Sequence, residues 1–202
     1  MENRGLDIER IANLYYKFGV KNITMDEIAN ELGISKRTIY QQVATKYELV
    51  QMVLNEEFDK FKEAVLKVVS ENRGGIQKLY GLYSVVLMHF KPITPVFVYS
   101  LVKMSSVLAD NIREQYGSFI KETLSQIIEE GKNEGVFLTR FKDDFATLFT
   151  GFLFQTGDIY VDGKERNVDL NNMFYLQISG ICTAKGEKIL EQFIENPQIL
   201  SA

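Results

Sequence analysis

Cysteine and histidine are almost absent from this sequence. The 202 residues contain one cysteine and one histidine. A single cysteine excludes a disulfide framework within one chain, and one residue of each type makes a zinc site of cysteine and histidine ligands implausible. We therefore expect no metal ion and no cofactor. We also expect a cytoplasmic location, because a lone cysteine fits a reducing compartment.

Long hydrophobic runs and targeting segments are lacking too. The N-terminus is charged and polar, without the apolar stretch and small-residue cleavage site of a signal peptide. The apolar segment from Phe90 to Val107 is interrupted by two prolines and by Lys103. It is therefore not expected to span a bilayer, and we expect no contact with a membrane.

Signatures of catalysis are missing as well. The sequence has no Gly-rich phosphate loop and no nucleophile elbow, and one histidine leaves little general-base chemistry. Cys182 lies in an apolar stretch whose nearest charged residue is Lys185. The acidic pair Asp143 and Asp144 is typical of a helix N-terminus, where the helix dipole favours carboxylates. We expect that the protein is not an enzyme.

The chain has no excess of positive charge. Its formal net charge is −4, which argues against a protein that coats nucleic acid without regard to sequence. DNA binding through a small patch remains open, because only the local potential counts there. Hydrophobic residues make up 46% of the sequence, enough for a sizeable core in one large domain or two small ones.

What the sequence does have is a segment patterned as two short helices joined by a tight turn. Thr24 and Glu27 form a capping box at the start of the first helix. Gly33 can adopt the positive φ that ends a helix tightly. Ser35 can cap a second helix over Lys36–Gln42. This arrangement predicts a helix-turn-helix, whose second helix enters the DNA major groove.

Basic charge is concentrated on the second of these helices. From Lys36 to Lys46 there are three basic residues and no acidic one, whereas the chain up to Ile34 carries more acidic than basic residues. Glutamine can pair with adenine, and lysine or arginine with guanine or phosphate. A solvated polar helix is the alternative interpretation. The polar side chains able to reach DNA here are Ser35, Thr38, Tyr40, Gln41, Gln42 and Thr45.

The rest of the chain also has helical patterns. Strand signals are weak, since no alternating runs are bounded by Asn-Gly or Asp-Gly turns. The fold class predicted is all-α, with about nine helices. A short or kinked helix is expected between Pro92 and Leu108. The other predicted helices are Leu6–Phe18, Thr45 to about Ser70, Ile76–Phe90, Asn111–Lys132, Asp143 to about Val161 and Leu170–Ile194.

The two C-terminal helices carry more apolar surface than one neighbour would cover. Residues 143–161 are apolar nearly all round, and the middle of 170–194 is heavily apolar. An ordinary buried pair within one subunit is the alternative. We expect a homodimer through these last two long helices, because a helix-turn-helix protein reads two half-sites about 34 Å apart and needs a two-fold partner.

A combination of short motifs in the N-terminal segment points to a known family. Together they cover the chain from Ile8 to Val53, which resembles the DNA-binding domain of the TetR family of bacterial transcriptional regulators. The matching elements are Phe18-Gly19, Thr24, Ile28-Ala29, Gly33-Ile34-Ser35, Tyr40 and Lys46-Tyr47-Glu48-Leu49.

The resemblance implies a division of the chain and a function. Residues 1–48 would form the helix-turn-helix domain and residues 49–202 a helical ligand-binding and dimerisation domain. The protein would be a ligand-responsive regulator, a repressor that binds a palindromic double-stranded operator as a homodimer. A small apolar or aromatic effector would release it from DNA.

The family pattern also assigns roles to residues of the predicted helix-turn-helix, which we call the DNA reader. By resemblance, the phosphate contacts would come from Thr24, Lys36, Thr38, Tyr40 and Lys46, while Arg37, Gln41 and Gln42 are candidates for base edges or nearby backbone.

Two positions depart from the family. Val43 stands where an aromatic residue is common, and Gln41 where an aromatic residue or histidine is frequent. A helical protein-interaction module, or an effector-binding protein with weakened DNA binding, therefore remains an alternative function.

Aromatic and soft side chains in the middle of the chain are candidates for a ligand pocket. Pockets are mostly apolar with a few polar groups, and the family implies one in the second domain. Ordinary core packing is the alternative for each residue. The candidates are Tyr83, Met88, His89, Phe97, Tyr99, Met104, Phe119, Phe152 and Gln155.

Overall fold

The computed structural model describes residues 6–138, 144–151 and 170–195, and these are almost entirely helical. The predicted all-α class is confirmed. Across those ranges, the only extended pairing is an isolated antiparallel bridge between Phe137 and Cys182. A 3₁₀ turn spans Ser179–Ile181. The helices are α1 Ile8–Phe18, α2 Met25–Leu32, α3 Lys36–Tyr40, α4 Lys46–Glu71, α5 Gly75–Phe90, α6 Pro95–Met104, α7 Ser106–Asn133, α8 144–151, α9 Leu170–Ile178 and α10 Ala184–Glu195.

Local capping signals set the bounds of α2 and α3. The Thr24 hydroxyl accepts a hydrogen bond from the Glu27 amide at 3.2 Å, while the Thr24 amide donates to the Glu27 carboxylate at 2.7 Å. Gly33 lies in the left-handed region, with φ 66° and ψ 31°. Ser35 accepts from the Thr38 amide at 3.1 Å. The predicted capping box, glycine turn and second cap are therefore all confirmed.

The chain packs as two units. The first comprises Met1–Phe61 and Pro92–Tyr116, and the second comprises Lys62–Lys91 and Gly117–Ala202. Helices α4 and α7 thus contribute residues to both. By packing, the first unit includes α6 as well as the helix-turn-helix, while the functional boundary expected at residue 48 stays a prediction.

Helix α6 packs against α1 in the first unit, and Gly19 makes this close approach possible. A Cβ on Gly19 would lie 2.7 Å from Ser100 Oγ, and the residue has a φ of 83°. The Ser100 hydroxyl accepts from the Val20 amide at 2.8 Å and donates to the Phe97 carbonyl at 2.9 Å. Any side chain at position 19 would therefore collide with a hydroxyl that satisfies a buried amide.

Hydroxyl and aromatic contacts complete this packing. The Thr94 hydroxyl, which also caps α6, donates to the Tyr16 carbonyl oxygen. The rings of Tyr16 and Phe97 meet edge to face, with centroids 5.1 Å apart. Such a pair adds about 0.5–1.5 kcal/mol to the stabilisation from buried area. These contacts fix α6 to α1, which also packs against α2 of the helix-turn-helix.

The second unit has an aromatic core around α5. Tyr83 is 1% exposed, and its ring lies 5.3 Å from that of Phe174 in α9 and 6.0 Å from that of Phe149 in α8. Tyr80 packs on Phe174 at 5.1 Å and on Phe193 of α10 at 4.8 Å. Offset and edge-on ring contacts of this kind hold α5, α8, α9 and α10 together.

The prediction of one continuous helix over Leu170–Ile194 is wrong. The chain leaves α9 through the 3₁₀ turn, pairs Cys182 with Phe137, and begins α10 two residues later. The Leu138 amide donates to the Ile181 carbonyl at 2.7 Å, and the Thr183 amide donates to the Val136 carbonyl at 2.9 Å. These bonds engage backbone groups that a continuous helix would pair internally.

The described ranges contain neither a membrane-spanning helix nor a metal-binding cluster. There, no single helix combines the length and apolar character of a bilayer span, and only the bent pair α5–α6 reaches both together. Within the same residues, no three side chains of His, Cys, Asp or Glu are grouped so that they could hold a metal ion.

Candidate nucleic-acid interface

Helix α3 is held by one buried residue and leaves its polar side chains exposed. Ile39 is fully buried, whereas Tyr40 is 43% exposed. Lys36 and Arg37 are exposed in the first turn. Because the buried contact lies on one side of a five-residue helix, the opposite side is available to a DNA groove.

The end of α3 differs from the predicted end. The helix stops at Tyr40 rather than at Gln42, and both glutamines follow it as exposed turn residues. The Gln42 amide donates to the Ile39 carbonyl at 2.9 Å, so the chain closes with a tighter turn. Val43, at the position where the family favours an aromatic residue, is 5% exposed and packs in the core of the first unit. The smaller side chain therefore still anchors the turn.

An ion pair links the two helices of the motif. Lys36 Nζ lies 2.8 Å from Asp26 Oδ2 near the start of α2. The hydrogen bond to Asp26 raises the pKa of Lys36 above its usual value. Arg37, in contrast, makes no ion pair with any residue in the described ranges. The two neighbouring cations therefore differ in how freely they can meet a phosphate.

Lys46 opens α4 beside the capping box of α2. Its side chain is half-buried, and Nζ donates to the Lys21 carbonyl at 3.3 Å. Burial lowers the pKa of Lys46, with a smaller opposing effect of the Glu27 carboxylate. A partly desolvated lysine at a fixed helix N-terminus is already ordered for a phosphate contact.

The hydroxyl groups predicted to contact phosphates have structural partners. Thr24 Oγ1 donates to Glu27 Oε2 at 2.8 Å in addition to its capping bond. The hydroxyls of Ser35 and Thr38 lie 2.8 Å apart and share a hydrogen bond. Their contacts with DNA stay a prediction, and their contacts within the motif order the two helix starts.

Three candidate ligand residues lie on α6 in the first unit. Phe97 is 5% exposed and belongs to the core that includes the helix-turn-helix. Tyr99 is 65% exposed, with Lys103 Nζ 5.5 Å from its ring centroid. Met104 is half-buried against the same core. Their role in ligand binding stays a prediction, but the packing of Phe97 has a structural role of its own.

The other described ligand candidates lie in the second unit. Tyr83 is buried among the aromatic residues of α5, α8 and α9, whereas Met88 on the same helix is 68% exposed. His89 is half-buried beside Phe90, and Phe119 is half-buried on α7. Two further candidates lie outside the described residues, namely Phe152 and Gln155.

A cavity of about 260 Å³ lies elsewhere in the second unit, near the start of α5. Its volume is just below the usual range of ligand pockets. It is lined by charged and polar groups as well as apolar ones, and its described lining contains none of the predicted ligand residues. The lining residues are Arg73, Gly74, Ile76, Gln77, Glu134, Val136, Lys185 and Ile189.

Sequence reasoning missed two features that position the reader. Ser100 and Thr94 join α6 to α1, although they lie about 80 residues further along the chain. In the sequence, Asp26 is one of the acidic residues before Ile34, whereas in the structure it pairs with Lys36 of α3. A buried serine has no local signature, whereas an acidic residue in the first turn of α2 facing a lysine in α3 could have been anticipated from the short turn.

Comparison with known proteins gives one family match. Residues 8–53 match the family of bacterial regulatory proteins described as the tetR family. Among curated proteins, none matches this sequence.

Solved structures share the fold over most of the chain. A bacterial regulatory protein of the TetR family from Rhodococcus RHA1 is similar over 91% of this chain and 99% of its own, with a TM-score of 0.68 and 16% identity. The ketosteroid transcriptional regulator KstR2 of Mycobacterium tuberculosis is similar over 87% of this chain and 93% of its own, with a TM-score of 0.60 and 17% identity.

A third similar structure was solved with both kinds of partner. AibR in complex with isovaleryl coenzyme A and operator DNA is similar over 84% of this chain and 94% of its own, with a TM-score of 0.60 and 19% identity. Identities this low establish the fold alone.

The family match and the geometry of the motif agree. The matched residues span α1 to the first part of α4, and they include the capping box, the left-handed Gly33 and the exposed recognition helix. Residues 8–53 therefore carry the DNA-binding helix-turn-helix of the tetR family of bacterial regulatory proteins.

Proposed function

We propose that this protein is a repressor that binds a palindromic operator as a homodimer and leaves DNA when a small apolar or aromatic effector binds. The observation that carries the proposal is the exposed polar side of α3, which is fixed to the core by Ile39 and lies between two helices with capped starts, α2 and α4. A reader held this firmly loses little conformational entropy when it enters a groove. We propose no catalytic activity and a cytoplasmic site of action, where bacterial DNA lies.

Exposed leucines on the C-terminal helices support the homodimer. Leu148 on α8 and Leu176 on α9 are 73% and 74% exposed in the single chain. Burying two large apolar side chains in each subunit of a symmetric contact favours association by about 1.5–3 kcal/mol per side chain. A two-fold axis would also supply the second half-site reader that a palindrome requires.

The aromatic interior of the second unit supports an apolar effector. Helix α5 contributes Tyr83 to a cluster with Phe149 and Phe174. The similarity to AibR, whose structure holds isovaleryl coenzyme A together with operator DNA, favours a response to a small molecule. Helices α4 and α7 each contribute their C-terminal portion to the second unit and their N-terminal portion to the first. A shift of these helices on effector binding would carry the signal to the DNA-binding motif.

Operator selection from random duplexes tests the proposed function. We expect enrichment of one inverted repeat whose half-site centres are about one helical turn apart, since a two-fold dimer places its readers at that spacing. Footprinting should then protect both half-sites, and light scattering should give the mass of a dimer. Selection without any enriched sequence at moderate salt would favour the protein-interaction alternative, whose binding would depend little on salt.

Two substitutions in the reader should affect binding differently. Lys46→Ala removes an ordered cation, so we expect affinity for all duplexes to fall and the salt slope to drop by about one. Gln41→Ala removes a base-edge candidate, so we expect discrimination against mismatched operators to fall by about 1–3 kcal/mol at one position. Titrations of operator, single-mismatch and random duplexes measure both. Equal and uniform losses from the two variants would contradict this division of roles.

A further inference from the structure

Asp26 places a carboxylate on the first residue of the recognition helix. It lies in the first turn of α2, and its Oδ2 atom is 2.8 Å from Nζ of Lys36, the first residue of α3. Both side chains stay exposed, 66% for Asp26 and 46% for Lys36. The pair therefore sits on the same exposed surface as the start of the DNA reader.

The charges around this pair are distributed unevenly. Glu27 is occupied by the capping bonds of Thr24 and lies near Lys46. Glu31, at the other end of α2, pairs with Arg10 of α1 at 3.1 Å. Of the carboxylates of α2, Asp26 is thus the one that pairs directly with a cation of α3, namely Lys36.

An exposed ion pair is weak and is screened by salt. A well-placed phosphate can therefore displace Asp26 from Lys36, since it offers charged oxygens of the same kind. In a loose complex with random DNA, the phosphates are not held at one position. The ion pair between Lys36 and Asp26, 2.8 Å long, therefore stays intact. In the seated complex, the other contacts fix a phosphate beside α3, and Lys36 can transfer to it.

We propose that Asp26 determines the specificity of DNA binding by withholding Lys36 from phosphates until α3 is seated in the groove. The inference rests on the proposed function, because it requires an operator that is bound differently from random DNA. Asp26 lowers the affinity for random DNA more than the affinity for the operator. The ratio of operator affinity to random-DNA affinity therefore rises, even though the charge of Lys36 is neutralised in the free protein.

The test is a double-mutant cycle read through the salt dependence of binding. Asp26→Asn, Lys36→Gln and the double variant are compared with the unmodified protein on a selected operator and on a random-sequence duplex of equal length. For Asp26→Asn, we expect the slope of log affinity against log salt on random DNA to steepen by about 0.9, the value for one more phosphate contact. Affinity for random DNA should rise roughly threefold to eightfold near 0.1 M salt, while the operator slope stays unchanged.

The cycle and its controls separate the possible outcomes. In the Lys36→Gln background, Asp26→Asn should change neither slope, because the cation it releases is gone. Glu31→Gln removes the same charge from the same helix but frees Arg10 instead, and it should leave the specificity ratio unchanged. Thermal melting checks that each variant is folded.

Equal steepening on both duplexes, or an Asp26→Asn effect that persists without Lys36, would overturn the inference and leave the proposed function intact. Absence of any salt-dependent DNA binding by the unmodified protein would overturn both.

Discussion

Gly186→Ala is expected to lower the stability of the protein by about 3 kcal/mol, although alanine favours helices over glycine by about 1 kcal/mol. A Cβ at this position would lie 2.1 Å from the carbonyl oxygen of Val136 and 3.0 Å from its carbonyl carbon. Both are backbone atoms that accept and position the hydrogen bond from the Thr183 amide. Since no side-chain rotation can relieve the collision, the start of α10 has to move.

Thermal unfolding measures this effect. A loss of about 3 kcal/mol corresponds to a fall in Tm of about 6–12 °C for a chain of this size. Gly180→Ala is the matched control, because a Cβ on Gly180 has no atom within 4 Å and the residue does not have a positive φ. That control should change Tm by only a degree or two. A Gly186 variant as stable as the Gly180 variant would show that α10 does not begin against Val136.

The same region shows why the C-terminal fold was harder to predict than the reader. The bonds that end α9 join Leu138 to Ile181 and Thr183 to Val136, more than 40 residues apart in sequence. The Thr183 hydroxyl donates to the Gly135 carbonyl at 2.7 Å and accepts from the Gly186 amide at 3.1 Å, which starts α10. A threonine cap is visible in the sequence, but the apolar pattern runs across it, so periodicity favoured one long helix.

The DNA reader was predictable because its determinants are local. Thr24, Gly33 and Ser35 act on backbone groups within five residues of themselves, and each has the bonds or dihedral angles that its residue type predicts. The start of α4 also has local bonds, since the Thr45 hydroxyl accepts from the Glu48 amide at 3.1 Å and the Glu48 carboxylate accepts from the Ala44 amide at 2.7 Å. The starts of α2, α3 and α4 can therefore be predicted from the sequence without any tertiary information.

Contacts of a helix with distant parts of the chain had no such local signal. The aromatic and aliphatic residues of α6 suggested a ligand pocket, because their pattern does not distinguish a pocket wall from a core. The structure places Phe97 and Leu101 against α1 and leaves Val98, Tyr99 and Val102 exposed. Gly19 permits the close approach of Ser100, but this role of the glycine is visible only in the structure.

Phe97→Ala is expected to lower the stability of the first unit by about 3–5 kcal/mol, the usual cost of removing a buried phenylalanine ring. The ring is 5% exposed and packs edge-on against Tyr16, whose hydroxyl donates to Glu57 of α4 at 3.1 Å. Its loss would leave a cavity between α6 and the helix that supports the reader. Chemical denaturation should detect the loss, and operator affinity should fall with the folded fraction.

Tyr99→Ala provides the matched comparison on the same helix. Tyr99 is 65% exposed, and its described ring contact is with Lys103. We expect its removal to change stability by less than about 1 kcal/mol, because exposed cation–π contacts contribute about 0.5–1 kcal/mol. Operator binding without effector should be unchanged.

Together the two variants separate a packing role from a ligand role on α6. If Phe97 acts only in the core, Phe97→Leu should recover most of the lost stability and restore operator binding, since it refills much of the volume with apolar atoms. If Tyr99 contacts an effector, Tyr99→Ala should require more effector for release while melting like the unmodified protein. A Phe97→Ala variant of normal stability would contradict the packing role, because a ring buried against Tyr16 cannot be removed without cost.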